Sequence, residues 1–301
     1  FPSYATPPVL ARLIEQGALG QKTGAGFYKK VGKDILRLDT AKGDYVASGA
    51  KAEPVIDRIL KKAPAERLKL LRESTNPQAQ FLWAILRNGF HYAAVHLAAI
   101  ADTARDVDQA LRWGFGMQQG PFELWQSAGW LEVARMVQED IDAGKALCSA
   151  PLPDWVFKGP VAEAGGVHTA QGSWNPTKGE FQGRLQLPVY QRQHFPELLL
   201  GEAGPKFETA GTTIEENDAI RVWTLDGDVL IASIKTKMHA ISPEVCEGLM
   251  AAVDLAEKEY QGLVVWSGDE PFSAGADLQA MLPAYMAVGV SAIEDAEGFM
   301  Q

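Results

Sequence analysis

The sequence contains no apolar run near the roughly 20 residues that a helix needs to cross a bilayer, which excludes a helical membrane span. Cysteine is scarce. Cys148 and Cys246 stand far apart and match no metal or redox spacing, and two ordinary thiols fit a reducing cytoplasm. Basic residues are in the minority, 28 Lys and Arg against 38 Asp and Glu, for a formal net charge of -10. That balance excludes a nucleic-acid binder, because tracking phosphates takes clustered Lys and Arg. It leaves room for a local basic pocket facing a phosphorylated cofactor. No Gly-x-Gly-x-x-Gly follows a strand pattern, and Gly114-Phe115-Gly116 lies between helical patterns, so a dinucleotide fingerprint is absent. There is no Ser-centred nucleophile elbow. Of the five histidines, His91 and His96 fall on one helical pattern but five apart, which does not place both on one face as metal ligands; no metal site is expected. The opening Phe1-Pro2-Ser3-Tyr4 lacks an initiator Met and has no basic region followed by an apolar stretch. It reads as a chain that starts mid-protein.

What is present is organised in three textures. The first is helical. Pro7 and Pro8 suit a helix start, with Leu10, Leu13 and Ile14 on its apolar face and Gly17 at its end. After a mixed stretch over 31–74, Leu82, Ile85, Leu86, Ala93, Leu97 and Ile100 keep a period near 3.6 and predict a long helix over 77–102. Thr103 suits the cap of a second helix over 105–113, Gly114 its end, and Pro121 the start of a third. A fourth covers 131–143 and stops at Gly144. Leu82, Ile85, Leu86, Leu111, Phe122 and Leu124 are its expected core, and Trp83, Phe90 and Trp125 add apolar area that suits a homodimer surface. From 145 to 217 Pro and Gly recur and helical periodicity is lost, which reads as a long irregular connector at a domain boundary. The last texture is β-β-α-β-α: strands over 219–225 and Val229–Ile234 flank the hairpin signal Asp226-Gly227-Asp228, followed by a helix over Pro243–Glu259, a short buried strand over 262–266, and a helix starting near Asp277.

Two motifs invite chemistry. Gly20-Gln21-Lys22-Thr23-Gly24-Ala25-Gly26 resembles a phosphate loop, but Lys-Thr precedes the last glycines instead of following them at a helix start. The expected structure is a tight turn with Phe27 and Tyr28 packed below it. Phe272-Ser273-Ala274-Gly275-Ala276-Asp277 follows a strand and opens a helix, where backbone N–H groups are free. Such a turn either donates to an oxygen that becomes an oxyanion or is a strand-to-helix turn chosen for tight packing.

Two resemblances add to this reading. Phe272-Ser273-Ala274-Gly275-Ala276-Asp277-Leu278, downstream of Ile234-Lys235-Thr236-Lys237-Met238-His239-Ala240-Ile241-Ser242, resembles the N-terminal part of the enoyl-CoA hydratase/isomerase (crotonase) family, which usually has Asn where this chain has His239. The resemblance implies that the Ala276 N–H is one of two oxyanion donors to an acyl-CoA thioester, with Lys237, Met238, Ala274, Gly275, Asp277 and Leu278 around the coenzyme A thioester. It also implies that the second donor and the water-adding glutamates lie beyond Gln301. Leu19-Gly20-Gln21-Lys22-Thr23-Gly24-Ala25-Gly26-Phe27-Tyr28 resembles the end of one repeat of the L-3-hydroxyacyl-CoA dehydrogenase C-terminal domain. Asp106-Val107-Asp108-Gln109-Ala110-Leu111-Arg112-Trp113-Gly114 and Gly120-Pro121-Phe122-Glu123-Leu124 resemble the signature of a second. In that family NAD and the catalytic His–Glu pair belong to an upstream domain. The expected fold class is therefore mixed: an all-α dehydrogenase C-terminal-type domain over 1–144, the connector over 145–217, and a partial α/β crotonase-type (ββα) domain over 218–301. The expected role is in a bacterial, cytoplasmic bifunctional β-oxidation enzyme whose partner is an acyl-CoA substrate, with neither nucleic acid nor membrane; this chain alone is expected to be inactive. The alternative is a non-catalytic interaction or scaffold module that keeps these folds.

Overall fold

The computed structural model describes residues 5–49, 51–204 and 206–291. The opening Phe1-Pro2-Ser3-Tyr4 and the last ten residues of the 218–301 segment lie outside the described residues. The chain forms two compact units. One runs to Arg192 and takes in Glu197–Ala203; the other comprises Gln193–Pro196 and the chain from Gly204 onward.

The first unit begins with α1 (Pro8–Glu15), which starts on its proline and is followed by Gly17 at φ 69°. The Gly20–Gly26 turn comes next. Thr23 folds back on it, accepting from Leu19 N at 2.9 Å and donating to Gly20 O at 3.1 Å, so its hydroxyl is spent on the turn itself. Phe27 and Tyr28 do not pack beneath it; they are 45% and 64% exposed. Tyr28 instead opens an antiparallel meander of β1 (Tyr28–Val31), β2 (Asp34–Asp39) and β3 (Asp44–Ala47). The mixed reading of 31–74 gave no strand there, although Gly32-Lys33 is a two-residue turn between runs rich in Val, Ile and Leu.

Six helices follow: α2 (Pro54–Leu60), α3 (Pro64–Glu73), α4 (Pro77–Ile100), α5 (Ala104–Phe115), α6 (Pro121–Ser127) and α7 (Trp130–Asp142). Four of the six start on proline, where the missing N–H costs nothing. The motif that carries the dehydrogenase resemblance is here a mutual capping network. Asp106 accepts from the Thr103 N–H at 2.9 Å at the start of α5. Asp108, from α5, accepts from the N–H groups of Phe122 and Glu123, both at 2.9 Å, and so caps α6 from a neighbouring helix. Glu123 accepts from the Gly120 N–H and pairs with Arg112 at 3.1 Å. A Cβ at Gly120 would lie 2.4 Å from the Asp108 Cα, so only glycine lets the two helices meet this closely.

The helical core holds Trp83, Phe90, Leu97, Phe122, Trp125 and Trp130, all almost fully buried. This corrects the expected core in phase. On α4 the inward stripe is Ala79, Trp83, Phe90, Ala94 and Leu97, which leaves Ile85 52% exposed and Leu82, Leu86 and Leu124 only packed against the core's edge. The larger side chains Trp83 and Phe90 set the phase because they bury the most apolar area. It also moves the apolar surface: Trp83, Phe90 and Trp125 fill this unit's own core, and the exposed apolar residues of α4 and α5 are Phe81, Ile85, Ile100, Trp113 and Phe115.

The segment expected as an irregular connector carries structure of its own, and most of it belongs to the first unit. It includes α8 (Pro160–Ala164), an antiparallel sheet of β4 (His168–Thr169), β5 (Gly172–Asn175) and β6 (Glu180–Gln182), and α9 (Pro188–Gln191). Leu152, Val156, Val161, Val167 and Trp174 enter the helical core. These elements are too short for periodicity to reveal, and isolated apolar residues anchor them.

The second unit is a four-stranded sheet in the order β10-β9-β8-β7. It comprises β7 (Thr212–Glu216), β8 (Ile220–Thr224), β9 (Val229–Ile234), α10 (Pro243–Glu259), β10 (Gly262–Val265) and α11 (Leu278–Val288). The expected hairpin forms as β8 and β9, and β10 pairs parallel to β9 across the α10 connection. The edge strand β7, all exposed, had no hydrophobic alternation to announce it. Ile220, Val222, Leu230 and Ala232 pack against Ala252 and Ala256 of α10. Trp223, Trp266, Phe207 and Phe195 form an aromatic cluster with centroid separations of 5.0–6.3 Å.

Candidate functional site

In an open sheet with parallel strands, ligands bind beyond the strands' carboxyl ends, where the loops gather. Only β9 and β10 are parallel among the described strands, and each is followed by such a loop. The loop after β9 turns through Lys237–His239, where Met238 and His239 take the left-handed φ values 56° and 51°. The loop after β10 runs from Trp266 to Asp277. The two are laced together: Ala274 N donates to Met238 O at 3.0 Å, Ile241 N to Gly275 O at 2.8 Å, and Asp277 N to Ile241 O at 2.9 Å.

This pattern is a short parallel bridge between Ile241 and Ala276. In such a bridge the bonds made by Ile241 go to the residues on either side of Ala276, so the N–H of Ala276 itself points away from Ile241. It makes no hydrogen bond among the described residues. Gly275, at φ 85°, supplies the left-handed step that turns the chain there. Asp277 then caps α11, its carboxylate accepting from Gln279 N at 2.9 Å and Ala280 N at 3.1 Å. A free N–H thus lies one residue before a capped helix start, in the positive potential of that helix. The structure brings together all seven residues singled out from the sequence, Lys237, Met238, Ala274, Gly275, Ala276, Asp277 and Leu278. Met238 and Leu278 are 56% and 76% exposed.

Sequence reasoning missed a second cluster, in the helical unit. His168 Nε2 lies 2.7 Å from Asp108 Oδ2 and its Nδ1 lies 3.0 Å from Ser173 Oγ, which also accepts from Arg105 N at 2.9 Å. The residue types are those of a nucleophile triad, but His168, Asp108 and Ser173 are buried. Their hydrogen bonds tie β4–β5 to α5. Burial pushes the Asp108 carboxyl up against the lowering effect of His168. Sixty residues separate the partners, and no spacing rule links them. Among the described residues no group of three or more His, Cys, Asp or Glu is placed to hold a metal ion, and no helix is long and apolar enough to cross a membrane.

The chain is similar to named fatty acid oxidation proteins. It is 28% identical over 285 residues, 93% of this chain and 33% of the relative, to the "Probable 3-hydroxyacyl-CoA dehydrogenase" of Bacillus subtilis (strain 168). It is 23% identical to the "Putative fatty acid oxidation complex trifunctional enzyme" of Rickettsia felis and to the protein of that name in Rickettsia prowazekii, over 93% of this chain and 33% of each. The chain thus spans about a third of the length of these curated relatives. No family model matches it, and no solved structure does.

Dehydrogenase relatives imply NAD in general, and a dinucleotide needs a glycine-rich strand-to-helix turn for its phosphates. Gly116 is the left-handed end of α5, at φ 67°, and Gly114 lies within that helix, so neither forms a strand-to-helix phosphate turn. The parallel pair β9–β10 leads into the Lys237–His239 turn and the Ala276 loop, neither of which carries the glycine fingerprint. The residues present do not fit a dinucleotide, and no step through NAD is assigned to them.

Proposed function

We propose that this chain works in fatty acid β-oxidation, within an enzyme that hydrates a 2-enoyl-CoA and oxidises the resulting L-3-hydroxyacyl-CoA with NAD. The helical unit is read as a dehydrogenase C-terminal-type domain and the second unit as the N-terminal part of a crotonase-type domain. The names of the relatives and the two sequence resemblances support this reading. The observation that carries the hydratase half is the unbonded N–H of Ala276 at the carboxyl ends of the parallel strands.

The chemistry follows from where charge develops. When water adds to the β-carbon of a 2-enoyl thioester, electrons move through the double bond onto the thioester oxygen. A fixed N–H aimed at that oxygen stabilises the charge without having to reorganise. Ala276 meets the requirement because its N–H belongs to no other bond and lies at the positive end of α11. Lys237, Met238, Ala274, Gly275, Asp277 and Leu278 frame the thioester. This chain's part in hydride transfer is confined to the packing of the helical unit.

The test is an assay of the full-length polypeptide carrying this sequence, supplied with a 2-enoyl-CoA and NAD. The reading expects loss of the enoyl absorbance followed by NADH formation. Intact, folded protein that consumes no enoyl-CoA would overturn the hydratase half and favour a scaffold role.

A further inference from the structure

We infer that His239 is a positioning residue for the Ala276 donor: its imidazole ties the two loops together and holds the oxyanion turn in register. The inference rests on the hydratase reading above and extends it to a residue at which this chain departs from the resemblance.

The backbone gives the first reason. Met238 and His239 are the only positive-φ residues other than glycine among the described residues. Such a conformation is uncommon for side-chain-bearing residues, and Asn, Asp and His tolerate it best because they hydrogen-bond locally. A His in the place usually held by Asn therefore keeps the left-handed turn while extending the reach of the side chain.

The side chain gives the second. The ring is largely shielded, with 14% of its side-chain surface exposed, and it is held on both nitrogens by the loop after β10. Nδ1 lies 2.7 Å from Pro271 O and 3.1 Å from Ser267 Oγ, whose own proton goes to Asp269 O at 2.9 Å. Nε2 lies 3.2 Å from Asp269 Oδ1. A carbonyl only accepts, so Nδ1 is the nitrogen that donates to Pro271 O, and Nε2 faces the Asp269 carboxylate. Ser267 is consequently no nucleophile: its hydroxyl donates away from the ring, and Nδ1 spends its proton on Pro271.

The third reason is the relay to the donor. Ser273 Oγ donates to His239 O at 2.7 Å, and the same hydroxyl accepts from Gly275 N at 3.0 Å. The His239 backbone is thus two hydrogen bonds from the residue that precedes Ala276, while its ring fixes the start of the same loop at 269–271. Rotating the His239 side chain out would leave the start of this loop, at 269–271, without its tie to the loop after β9.

The experiment uses the full-length polypeptide with three variants. His239→Gly takes the left-handed backbone freely and removes only the ring. His239→Asn keeps a short side chain able to donate to Pro271 O. Ala276→Pro serves as the donor-loss reference. Displacing a catalytic donor by about an ångström costs on the order of 10²-fold. His239→Gly is expected to lower kcat for hydration by roughly 10- to 100-fold with KM little changed, while NAD-dependent oxidation and the melting midpoint stay near wild type. His239→Asn is expected to restore most of the rate. If Ala276→Pro loses hydration while His239→Gly keeps wild-type kcat, the positioning role is wrong and the hydratase reading stands. If His239→Gly raises KM and leaves kcat intact, the ring serves binding and the inference also fails. If the wild type itself does not hydrate an enoyl-CoA, the reading beneath the inference fails first.

Discussion

Asp140 shows how a single buried carboxylate organises the helical unit. It accepts from Trp83 Nε1 at 2.7 Å and from Arg87 Nη1 at 3.2 Å on one oxygen, and from Arg72 Nη2 at 3.0 Å on the other. Burial pushes its carboxyl up, but the hydrogen bonds from Trp83, Arg72 and Arg87 outweigh that and hold it below the ordinary carboxylate value. Removing one partner of a buried ion pair strands the other, at about 3–5 kcal/mol. Asp140→Asn is expected to cost an amount of that order at neutral pH. A folded-state value held below the unfolded one means the stabilisation is complete above about pH 4 and is lost as pH falls through the depressed value. The gap in melting midpoint between wild type and Asp140→Asn should therefore narrow in acid. A gap that is equal at neutral and strongly acidic pH would contradict the charge assignment. None of these partners is near Asp140 in sequence, so this site was not legible; the sequence shows an Arg and a Trp on a helix, and only packing brings them to one carboxylate.

At the scale of elements, legibility followed local chemistry. Helices with a proline at the first turn and a cap, such as α4 and α10, were readable to within a residue or two, and α6 was readable at its start, because those signals act within one turn. The phase of α4 was not. Periodicity alone does not choose between adjacent stripes, and Trp83 and Phe90 decided it by size. The meander β1–β3 and the short strands β4–β6 were missed because each is six residues long or shorter and none alternates buried with exposed positions. Phe122 lies where three elements converge, with ring centroids of Trp125, Trp130 and Trp155 each 6.5 Å away. Phe122→Ala is expected to destabilise the helical unit by about 3–5 kcal/mol, read as a shift of the denaturant midpoint at unchanged slope. An unmoved midpoint would mean that the aromatic stack does not support the unit.

At the scale of the whole molecule, the candidate site lies within one unit and needs nothing from the other to be described. The turn at 272–278 was legible as a strand-to-helix turn. What the sequence left open, donor or packing turn, depends on which N–H groups the neighbouring loop consumes. Ile241 O takes the N–H of Asp277 and Ser273 Oγ takes that of Gly275, which leaves that of Ala276. That is a three-dimensional fact, set by the parallel register of β9 and β10. The polar contacts that fix the loop, His239 to Asp269 and Pro271, were likewise invisible, since they join residues thirty apart whose approach depends on that register.

The most direct test of the account compares Ala276→Pro with Ala276→Gly in the full-length polypeptide carrying this sequence, assaying enoyl-CoA hydration and NAD-dependent oxidation side by side. Proline removes the N–H, and losing one oxyanion donor costs on the order of 10²–10³ in rate; glycine keeps it. The account predicts hydration lost by that factor or more in Ala276→Pro, a mild change in Ala276→Gly, and oxidation nearly unchanged in both. A folded Ala276→Pro protein that hydrates enoyl-CoA at the wild-type rate would contradict it and leave the turn a structural one.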